Sequence, residues 1–420
     1  MNEAVESASF PEIKVPAALT FAGLIAGFAL GIMLRGGPLL DAVLPWAELA
    51  GKLWLKALQL TILPLVIGLV YTGISQTLAA AGGGQLARRA VGMFCAVLVG
   101  AGVMSVVVSE LLHSLFPVPP SAVAALSGGG GEVAGKVPSA AEVLQAMMPD
   151  NIFSAASNGA MLPVVLFVSL FALAATRIAQ APRRQLMVVF EGLAAAMMVI
   201  VGWVLQLAPI GVFGLAMSLG ASSGGAAIGA LAHYIVLVSL VGLVVLLAGF
   251  VLAVVLGRHS VGEFARAMLP VHAVAISTQS SLACLPAMLS ASRKLGVREA
   301  SSDFVLPLAV AIFRATSPAM NLAVAIYAAK LTGTPLTPWA LAIGVVVAFL
   351  VSLSSVSLPG TLSFVVSVGP IAMAMGVPVA PLGLLVAVEM LPDLMRTLGN
   401  VTMDVAVTAA IDRRARQQEA

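Results

Sequence analysis

Five polar side chains near the end of the sequence share one face of a predicted helix. Asp393, Arg396, Thr397, Asn400 and Asp404 lie in a mostly apolar segment, at spacings that place them on one side of an α-helix. An arginine can bind a carboxylate through two parallel hydrogen bonds, and an aspartate can accept hydrogen bonds from an ammonium group. The face therefore predicts a site for a ligand with both groups, an acidic amino acid. The alternative is that Asp393 and Arg396 merely neutralise each other, which would leave Asn400 and Asp404 unexplained.

The composition indicates that lipid surrounds most of the chain. Of the 420 residues, 60% are hydrophobic and 9% are charged, whereas soluble domains have about 25% charged residues. This excludes an ordinary soluble enzyme and a disordered chain. The net charge of +3 is too small and dispersed to indicate a nucleic-acid partner. Cys95 and Cys284 lie in apolar stretches, which favours buried thiols over a disulfide or a metal site.

Six apolar stretches in the first part of the chain are predicted to be membrane helices. Each must be helical, because lipid offers the backbone no hydrogen-bond partner. The acidic start of the chain is unlike a signal peptide, so the first stretch is predicted to be a permanent helix. The stretches are Val15–Leu34, Ala47–Gln76, Ala90–Leu115, Ala160–Ile178, Leu186–Leu207 and Ala226–Leu256.

Basic residues predict the sidedness of these helices. Arg88 and Arg89 follow the second stretch, and further arginines follow the fourth and the sixth. The loops Pro117–Asp150 and Gly220–Gly225 have a single basic residue between them, Lys136. Because basic loops remain in the cytoplasm, these two loops are predicted to be external, and both chain termini are predicted to be cytoplasmic.

Two later apolar regions are interrupted by small polar residues and a proline. They are Ala275–Pro286 and Ser352–Ser363. The apolar stretch on either side of each interruption is too short to cross a membrane as a full helix. The charges place both ends of the first region inside and both ends of the second outside, which predicts two re-entrant hairpins of opposite orientation. Each is followed by a predicted long helix, Phe304–Ala329 and Leu382–Ile411. The alternative is two membrane helices kinked at their prolines.

The chain resembles the glutamate/aspartate transporter family, the dicarboxylate/amino acid:cation symporters. The most specific match runs from Asp393 to Asp404 as Asp-x-x-Arg-Thr-x-x-Asn-Val-x-x-Asp, and it holds position for position. Ile62–Val66, Asn158–Pro163 and Leu207–Phe213 match as well. The resemblance therefore covers nearly the whole chain.

The resemblance implies an all-α membrane protein with eight transmembrane helices and two inverted re-entrant hairpins. It also implies an elevator-type transporter, usually a homotrimer, in the plasma (inner) membrane. Residues 1–256 would hold the first six helices, mostly scaffold and trimer contacts, with the third and sixth helices joining the transport domain. Residues 257–420 would form the transport core, with both hairpins and the seventh and eighth helices.

The resemblance also implies roles for single residues. Arg396 would bind the side-chain carboxylate of the substrate and Asp393 its amino group. The residues that would complete the substrate site are Thr397 and Asn400 on the same helix, Ser280 and Ser281 at the tip of the first hairpin, and Pro359, Gly360 and Thr361 at the tip of the second. Four-carbon dicarboxylates, which have no ammonium group to satisfy Asp393, are the alternative substrates, on a proton-coupled or uncoupled carrier.

The chain departs from the family at its sodium sites. The family's Asn-Met-Asp-Gly-Thr in the seventh helix is replaced by Phe-Arg-Ala-Thr-Ser at residues 313–317, and residues 97–103 of the third helix offer no hydroxyl. Sodium requires oxygen ligands, of which Asn400 and Asp404 remain as a residual site. Sodium dependence is therefore doubtful, and the coupling ion is left open between sodium and a proton. No cofactor is predicted.

Arg314 suggests how the site works without a bound cation. In the family a bound cation offsets negative charge near the substrate, and a guanidinium keeps its charge at any working pH. Arg314 is therefore hypothesised to be a built-in surrogate cation. The alternatives are that it pairs only with Asp404 or points away from the site. Glu389 and Asp404 are the candidate proton carriers, because burial favours the neutral carboxyl group.

A membrane-embedded enzyme and a passive channel are the rival function classes. Gly220–Gly224 fits the pattern G-x-S-x-G of serine hydrolases, but no predicted strand precedes it. The four histidines are scattered and form no metal-binding motif. The polar helix face predicts instead a secondary active transporter for aspartate or glutamate, which is not an enzyme.

Overall fold

The described part of the chain consists of helices and the turns that join them. The computed structural model describes residues 16–119, 148, 150–223, 226–354 and 360–419, and none of them lies in a strand. The helices up to residue 255 are α1 (Ala17–Met33), α2 (Pro38–Ala81), α3 (Gln85–Leu115), α4 (Ile152–Ser157), α5 (Met161–Ala175), α6 (Gln180–Gln206), α7 (Ala208–Ser223) and α8 (Ala226–Val255). The later helices are α9 (Val261–Thr278), α10 (Leu285–Lys294), α11 (Glu299–Ile312), α12 (Thr316–Thr332), α13 (Pro338–Ser354), α14 (Gly360–Ala374), α15 (Leu382–Leu385) and α16 (Met390–Glu419).

Several of these helices are long and apolar enough to cross a membrane. Within the described ranges, the full-length candidates are Pro38–Ala81, Gln85–Leu115, Gln180–Gln206, Gly229–Val255 and the stretch Glu299–Thr332, which α11 and α12 form together. Shorter apolar helices are Ala18–Met33, Met161–Ala175, Ala208–Ala221 and Pro338–Leu353. Large apolar side chains such as Leu60 and Trp203 remain exposed on the outer faces, as lipid contact requires. The predicted fold class, an all-α membrane protein, is confirmed.

The first helix packs unusually closely against α7. Gly23, Gly27 and Gly31 are spaced one turn apart along α1, and a Cβ at any of them would collide with the backbone of α7. Small residues at such spacing let two membrane helices approach each other, and van der Waals packing then holds them together. Trp54 of α2 also donates a hydrogen bond to the carbonyl of Val204 in α6, at 2.9 Å. These contacts connect α1 to α7 and α2 to α6.

A second core lies in the later part of the chain. Helices α9, α10 and α11 pack against α16, and their buried side chains form a separate apolar cluster that includes Phe264, Met268 and Val405. Helix α8 runs along α16 with an extensive interface. The last helix is therefore surrounded on several sides by protein, so its polar face is shielded from lipid.

The first predicted hairpin is confirmed as two helices that are joined by a short turn. Helix α9 ends at Thr278, α10 begins at Leu285, and the two pack against each other. Gln279 has φ 49° and ψ 31°, a left-handed conformation that few non-glycine residues adopt, and it ends α9 at the tip. The second hairpin has the same layout, with α13 packed on α14, while the predicted tip residues 355–359, including Pro359, lie outside the described part.

The predicted seventh helix is wrong in one respect, because it is broken rather than continuous. Helix α11 ends at Ile312 and α12 begins at Thr316. Phe313 between them is extended, with φ −119° and ψ 103°. Pro318, in the first turn of α12, is a sequence signal for a helix start, and the prediction of one helix over Phe304–Ala329 missed it.

Other predicted boundaries need correction. The predicted helix Leu382–Ile411 is divided, since α15 ends at Leu385 and α16 runs from Met390 to Glu419. The predicted loop Gly220–Gly225 is mostly helical, because α7 extends to Ser223. The first four residues of its Gly-x-Ser-x-Gly pattern, 220–223, therefore lie on a helix and do not follow a strand, as a hydrolase nucleophile would. The loop Ser121–Ser139 lies outside the described residues.

Asp412 anchors the end of α16 to the start of α11. Its carboxylate accepts hydrogen bonds from Arg298 Nε at 2.7 Å, Ser301 Oγ at 2.7 Å and Arg416 Nε at 2.9 Å. Because charge-assisted hydrogen bonds contribute more than neutral ones, Asp412→Asn is expected to destabilise the protein by about 2 kcal/mol. Thermal unfolding in detergent would show this as a lower midpoint. Glu299→Gln is the matched control, since the Glu299–Arg293 pair is exposed and such pairs contribute little.

Candidate functional site

The break between α11 and α12 meets the polar face of α16. Asn400 Oδ1 accepts a hydrogen bond from the backbone N–H of Thr316 at 3.0 Å and another from Thr316 Oγ1 at 2.8 Å. The first turn of any helix has backbone N–H groups without an intrahelical partner, so Asn400 supplies a cap from another helix. A Cβ on Gly399 would lie 2.5 Å from the Thr316 side chain, which explains the small residue there. Discontinuous helices of this kind line binding sites in transporters.

Arg396 is the centre of a buried charge network. Its Nη1 donates to Asn321 Oδ1 at 2.7 Å, its Nη2 contacts Glu389 Oε1 at 2.5 Å, and its Nε lies 3.1 Å from Asp393 Oδ1. The Arg396 side chain is 4% exposed and that of Glu389 is fully buried. The sequence left open whether Asp393 and Arg396 bind a ligand or only neutralise each other. The two side chains do contact each other. Arg396 also contacts Asn321 and Glu389, and mutual neutralisation does not require these two partners.

Glu389 is held on its other side by a tyrosine. Tyr234 of α8 donates its hydroxyl to Glu389 Oε2 at 2.6 Å, and its side chain is fully buried. Glu389 lies in the turn between α15 and α16, so its position is not fixed by helix geometry. The hydroxyl of Tyr234 therefore fixes the carboxylate that in turn fixes the Arg396 guanidinium.

Arg314 brings a second positive charge into this site. It interacts electrostatically with Asp393, Arg396 and Asp404. Both carboxylate oxygens of Asp404 are buried and have no hydrogen-bond partner. The site thus combines two guanidinium groups with three carboxyl groups, those of Glu389, Asp393 and Asp404. The prediction that Arg314 points away from the site is not supported, since it is close enough to three charged site residues to affect them.

Phe313, which precedes Arg314 in the chain, makes an aromatic contact with α3. Its ring stacks on that of Phe94 from α3, with 4.4 Å between ring centroids and 9° between ring planes. Both rings are about 1% exposed. This packing leaves apolar carbon where a cation site would need oxygen ligands.

The two hairpins hold further residues that were predicted to bind the substrate. Ser281 is buried and Ser280 Oγ accepts a hydrogen bond from the backbone N–H of Ala283 at 3.3 Å. Cys284, at the end of the same tip, interacts electrostatically with Asp404, so the first hairpin reaches the polar face. Gly360 and Thr361 begin α14. Thr397 Oγ1 donates to the carbonyl of Asp393 in its own helix at 3.2 Å.

Three residues of the network were missed from the sequence: Tyr234, Thr316 and Asn321. Asn321 is a polar residue in an apolar stretch, two turns after Arg314, and that spacing was a usable signal. Tyr234 gave no such signal, because a tyrosine in an apolar helix is usually a packing residue. Among the described residues, no cluster of three or more His, Cys, Asp or Glu side chains is arranged to hold a metal ion.

Removing the Tyr234 hydroxyl should weaken substrate binding. Tyr234→Phe leaves Glu389 with Arg396 as its hydrogen-bonding partner, so the carboxylate can move with the guanidinium. Because hydrogen bonds to charged groups contribute about 1.5–3 kcal/mol, we expect the KM for uptake to rise by about tenfold. Tyr71→Phe is the control, since Tyr71 packs against Phe190 in a different part of the chain. Equal KM values for the two variants would contradict this role.

Comparison with known proteins gives matches along almost the entire chain. A sequence model of the sodium:dicarboxylate symporter family matches residues 17–414. A proton/sodium-glutamate symport protein from Bacillus subtilis is 28% identical over 91% of this chain and 88% of its own length. A proton/glutamate-aspartate symporter from Escherichia coli is 25% identical over 84% of this chain and 81% of its own length. A C4-dicarboxylate transport protein from Leptothrix cholodnii is 28% identical over 66% of this chain and 62% of its own length.

Proposed function

The chain belongs to the sodium:dicarboxylate symporter family, and from this premise we propose that it carries an acidic amino acid, aspartate or glutamate. Like the other members of its family, it is a membrane transporter and not an enzyme. The observation that carries the substrate assignment is the buried guanidinium of Arg396 next to the carboxylate of Asp393. The guanidinium can pair with the side-chain carboxylate of an acidic amino acid, and the Asp393 carboxylate can pair with its ammonium group.

Substrate binding is proposed to proceed by exchange of ion pairs. Asp393 contacts the guanidinium of Arg396 at 3.1 Å. A substrate ammonium group can draw the Asp393 carboxylate away, and the substrate's side-chain carboxylate can then take its place on Arg396. Asn321 and Glu389 keep the guanidinium oriented during the exchange, because they hold its two terminal nitrogens. The tips of the hairpins are proposed to complete the site, with Ser280 and Ser281 on one side and Pro359, Gly360 and Thr361 on the other.

Four-carbon dicarboxylates are the alternative substrates. The relative from Leptothrix cholodnii is a C4-dicarboxylate transport protein, which supports this possibility for the family. In this chain such a ligand would leave Asp393 without an ammonium partner and competing for Arg396. Competition by succinate should therefore be weaker than competition by aspartate.

Transport is proposed to be independent of sodium. Asn400 Oδ1 already accepts two hydrogen bonds from Thr316, and Phe313, three residues before Thr316, is stacked on Phe94. Arg314 supplies a permanent positive charge to Asp393 and Asp404. Transport would then be proton-coupled or uncoupled, with Glu389 and Asp404 as the candidate proton carriers; a residual sodium site at Asn400 and Asp404 is the alternative.

The larger architecture of transport is proposed by analogy with the family. The early helices would form the scaffold and the trimer contacts, and residues 257–420, with α3 and α8, would move as the transport domain. The protein would lie in the plasma (inner) membrane with both termini in the cytoplasm. The separate apolar core of α9, α10, α11 and α16 supports a transport unit that is packed on its own.

Ion substitution in liposomes tests the proposed function. The purified protein would be reconstituted, and uptake of radiolabelled aspartate would be measured with sodium inside and outside replaced by choline, with and without a pH gradient. We expect saturable uptake that persists without sodium and is competed by glutamate more strongly than by succinate. Uptake that stops on removal of sodium and ignores the pH gradient would refute sodium independence. Uptake that does not saturate would indicate a channel.

A further inference from the structure

Five arginines lie at one end of the early helices. They are Arg88 and Arg89 in the first turns of α3, Arg177 just after α5, and Arg183 and Arg184 in the first turns of α6. No Asp or Glu occurs at residues 49–109 or 151–190, and within the described part of the chain none of the five arginines forms an ion pair. The sequence predicts that this end is cytoplasmic. It therefore has an excess of positive charge on the side where anionic lipids are found.

Helices α2 and α6 run antiparallel and separate toward this end. A Cβ on Gly68 would lie 3.0 Å from the side chain of Ala194, so the two helices are in close contact there. About one turn nearer the arginines, the ring of Tyr71 stacks on that of Phe190, with 4.0 Å between ring centroids. Beyond this pair a cavity of about 290 Å³ lies between the two helices.

The cavity is polar close to the helix ends. Its polar lining includes Gln76, Gln180, Arg183 and Arg184. A second cavity, of about 690 Å³, lies along α6 and shares Gln180 and Arg184 with the first. Volumes of roughly 300–1,000 Å³ are typical of pockets that hold small ligands. The two cavities form one cleft, the α2–α6 cleft, in which guanidinium and amide groups can donate hydrogen bonds to an anion.

The part of the α2–α6 cleft that lies deeper in the membrane span is apolar. Val188 and Val189 line the second cavity, and both are 63% exposed. Val188 follows Arg184 by one helical turn within the candidate span Gln180–Gln206, which corresponds to about 6 Å along the helix axis. Apolar side chains exposed at this depth contact the acyl chains of the bilayer. A ligand that fits the whole cleft therefore has an anionic group joined to a hydrocarbon chain.

We propose that the α2–α6 cleft binds one anionic phospholipid. Arg183 and Arg184 bind the phosphate, because a guanidinium donates two parallel hydrogen bonds to phosphate oxygens. Gln180 donates to a further headgroup oxygen, and one acyl chain lies against Val188. Basic pockets between membrane helices on the cytoplasmic side suit anionic headgroups. Inorganic phosphate would contact only the polar end and leave the apolar wall uncovered, so the ligand is the lipid.

Membrane sidedness alone does not explain this arrangement. Basic residues favour the cytoplasmic side wherever they lie near a helix end, and Arg413 and Arg414 near the end of α16 follow that rule without lining either cavity. Arg183 and Arg184 differ from them because they line a cleft that extends between two helices as far as Tyr71. The two pairs of neighbouring arginines therefore provide a matched comparison, with equal charge but with a cleft beside only one pair.

Native mass spectrometry tests the lipid site directly. The whole protein, delipidated in detergent, would be titrated with phosphatidylglycerol or with phosphatidylcholine of the same acyl chains. We expect one phosphatidylglycerol to bind per chain and phosphatidylcholine to bind about tenfold more weakly. The double variant Arg183→Gln, Arg184→Gln should lower the affinity for phosphatidylglycerol by about 30-fold, because each arginine near anionic headgroups contributes roughly fivefold. Arg413→Gln, Arg414→Gln should leave that affinity unchanged. Equal affinity of the wild-type protein for both lipids, or wild-type affinity for phosphatidylglycerol in the first double variant, would overturn the proposal.

Two further measurements distinguish the lipid from other occupants of the cleft. Excess inorganic phosphate, compared with chloride at equal ionic strength, should leave phosphatidylglycerol bound; displacement by phosphate would indicate a free-anion site and overturn the proposal. Val188→Trp crowds the apolar wall and should lower the affinity for phosphatidylglycerol by about tenfold, with the mass of the oligomer unchanged. Val251→Trp is the control, since Val251 on α8 is similarly exposed, at 61%. If Val188→Trp dissociates the oligomer and keeps wild-type lipid affinity, a second copy of the chain covers this face and the proposal is wrong. None of these measurements requires a transported substrate, so they do not depend on the proposed function.

Discussion

Arg396→Ala should lower aspartate uptake by at least about 100-fold, the largest effect expected from any single change in this site. The guanidinium is buried and can bind the substrate's side-chain carboxylate through two parallel hydrogen bonds. Losing a buried charge-assisted pair costs about 2–5 kcal/mol, which corresponds to this loss. Initial rates of radiolabelled aspartate uptake in liposomes, corrected for reconstituted protein, would measure it.

Two controls distinguish a loss of substrate binding in Arg396→Ala from misfolding of the variant. Arg396→Ala also leaves the buried carboxylate of Glu389 without its cation, so elution as a single species in size-exclusion chromatography is required before uptake is interpreted. Asp393→Asn is the companion variant: it should lose preference for ligands with an ammonium group, so that succinate competes as well as aspartate does. Unchanged aspartate affinity in Arg396→Ala would refute the assignment of Arg396 to the substrate.

Much of the fold could be predicted from the sequence because lipid restricts the choices. A long apolar stretch must be a helix, so the early spans and the interrupted hairpin at residues 279–284 followed from residue types alone. The break at Phe313 could not be predicted in the same way. Pro318 is a local signal for a helix start at this point, but nothing local identifies the group that caps the new helix, the side chain of Asn400, which is 84 positions from Thr316. Long-range contacts of this kind leave no local pattern.

The same limit applies to the site. The polar face of α16 was visible because its members lie within three turns of one another. The partners that orient Arg396 come from other helices: Asn321 is 75 positions away, and Tyr234 is 155 positions from Glu389. The contacts of His113 and His233 with Tyr327 likewise left no sequence signal, because the histidines are scattered along the chain. Sequence spacing thus predicted which polar residues share a face of α16. The packing of the helices determines which residues from other helices contact that face.

Arg314→Met should abolish aspartate uptake in sodium-free medium, with a loss of about 100-fold. The guanidinium offsets the carboxylates of Asp393 and Asp404, and an uncompensated buried charge costs several kcal/mol. A bound substrate adds a further net negative charge, so the loss falls on substrate binding more than on folding. Arg314→Lys keeps the charge and should retain part of the uptake, although lysine lacks the planar fork of arginine. Uptake at 1 mM aspartate with choline as the external cation would measure both.

The decisive variant reverses the two charge changes that separate this chain from the family motif. The combined change Arg314→Met and Ala315→Asp removes one positive charge and adds one negative charge. The net charge of the site then falls by two, which two bound monovalent cations would restore. If Arg314 acts as a fixed substitute for a bound cation, this variant should be inactive in choline and should recover part of its uptake when sodium is supplied. The stacked rings of Phe94 and Phe313 limit the space for such a cation, so the recovery should increase when Phe313→Asn is added. Sodium-free uptake by Arg314→Met at the wild-type rate would show that its charge is dispensable, and the surrogate role would then be wrong.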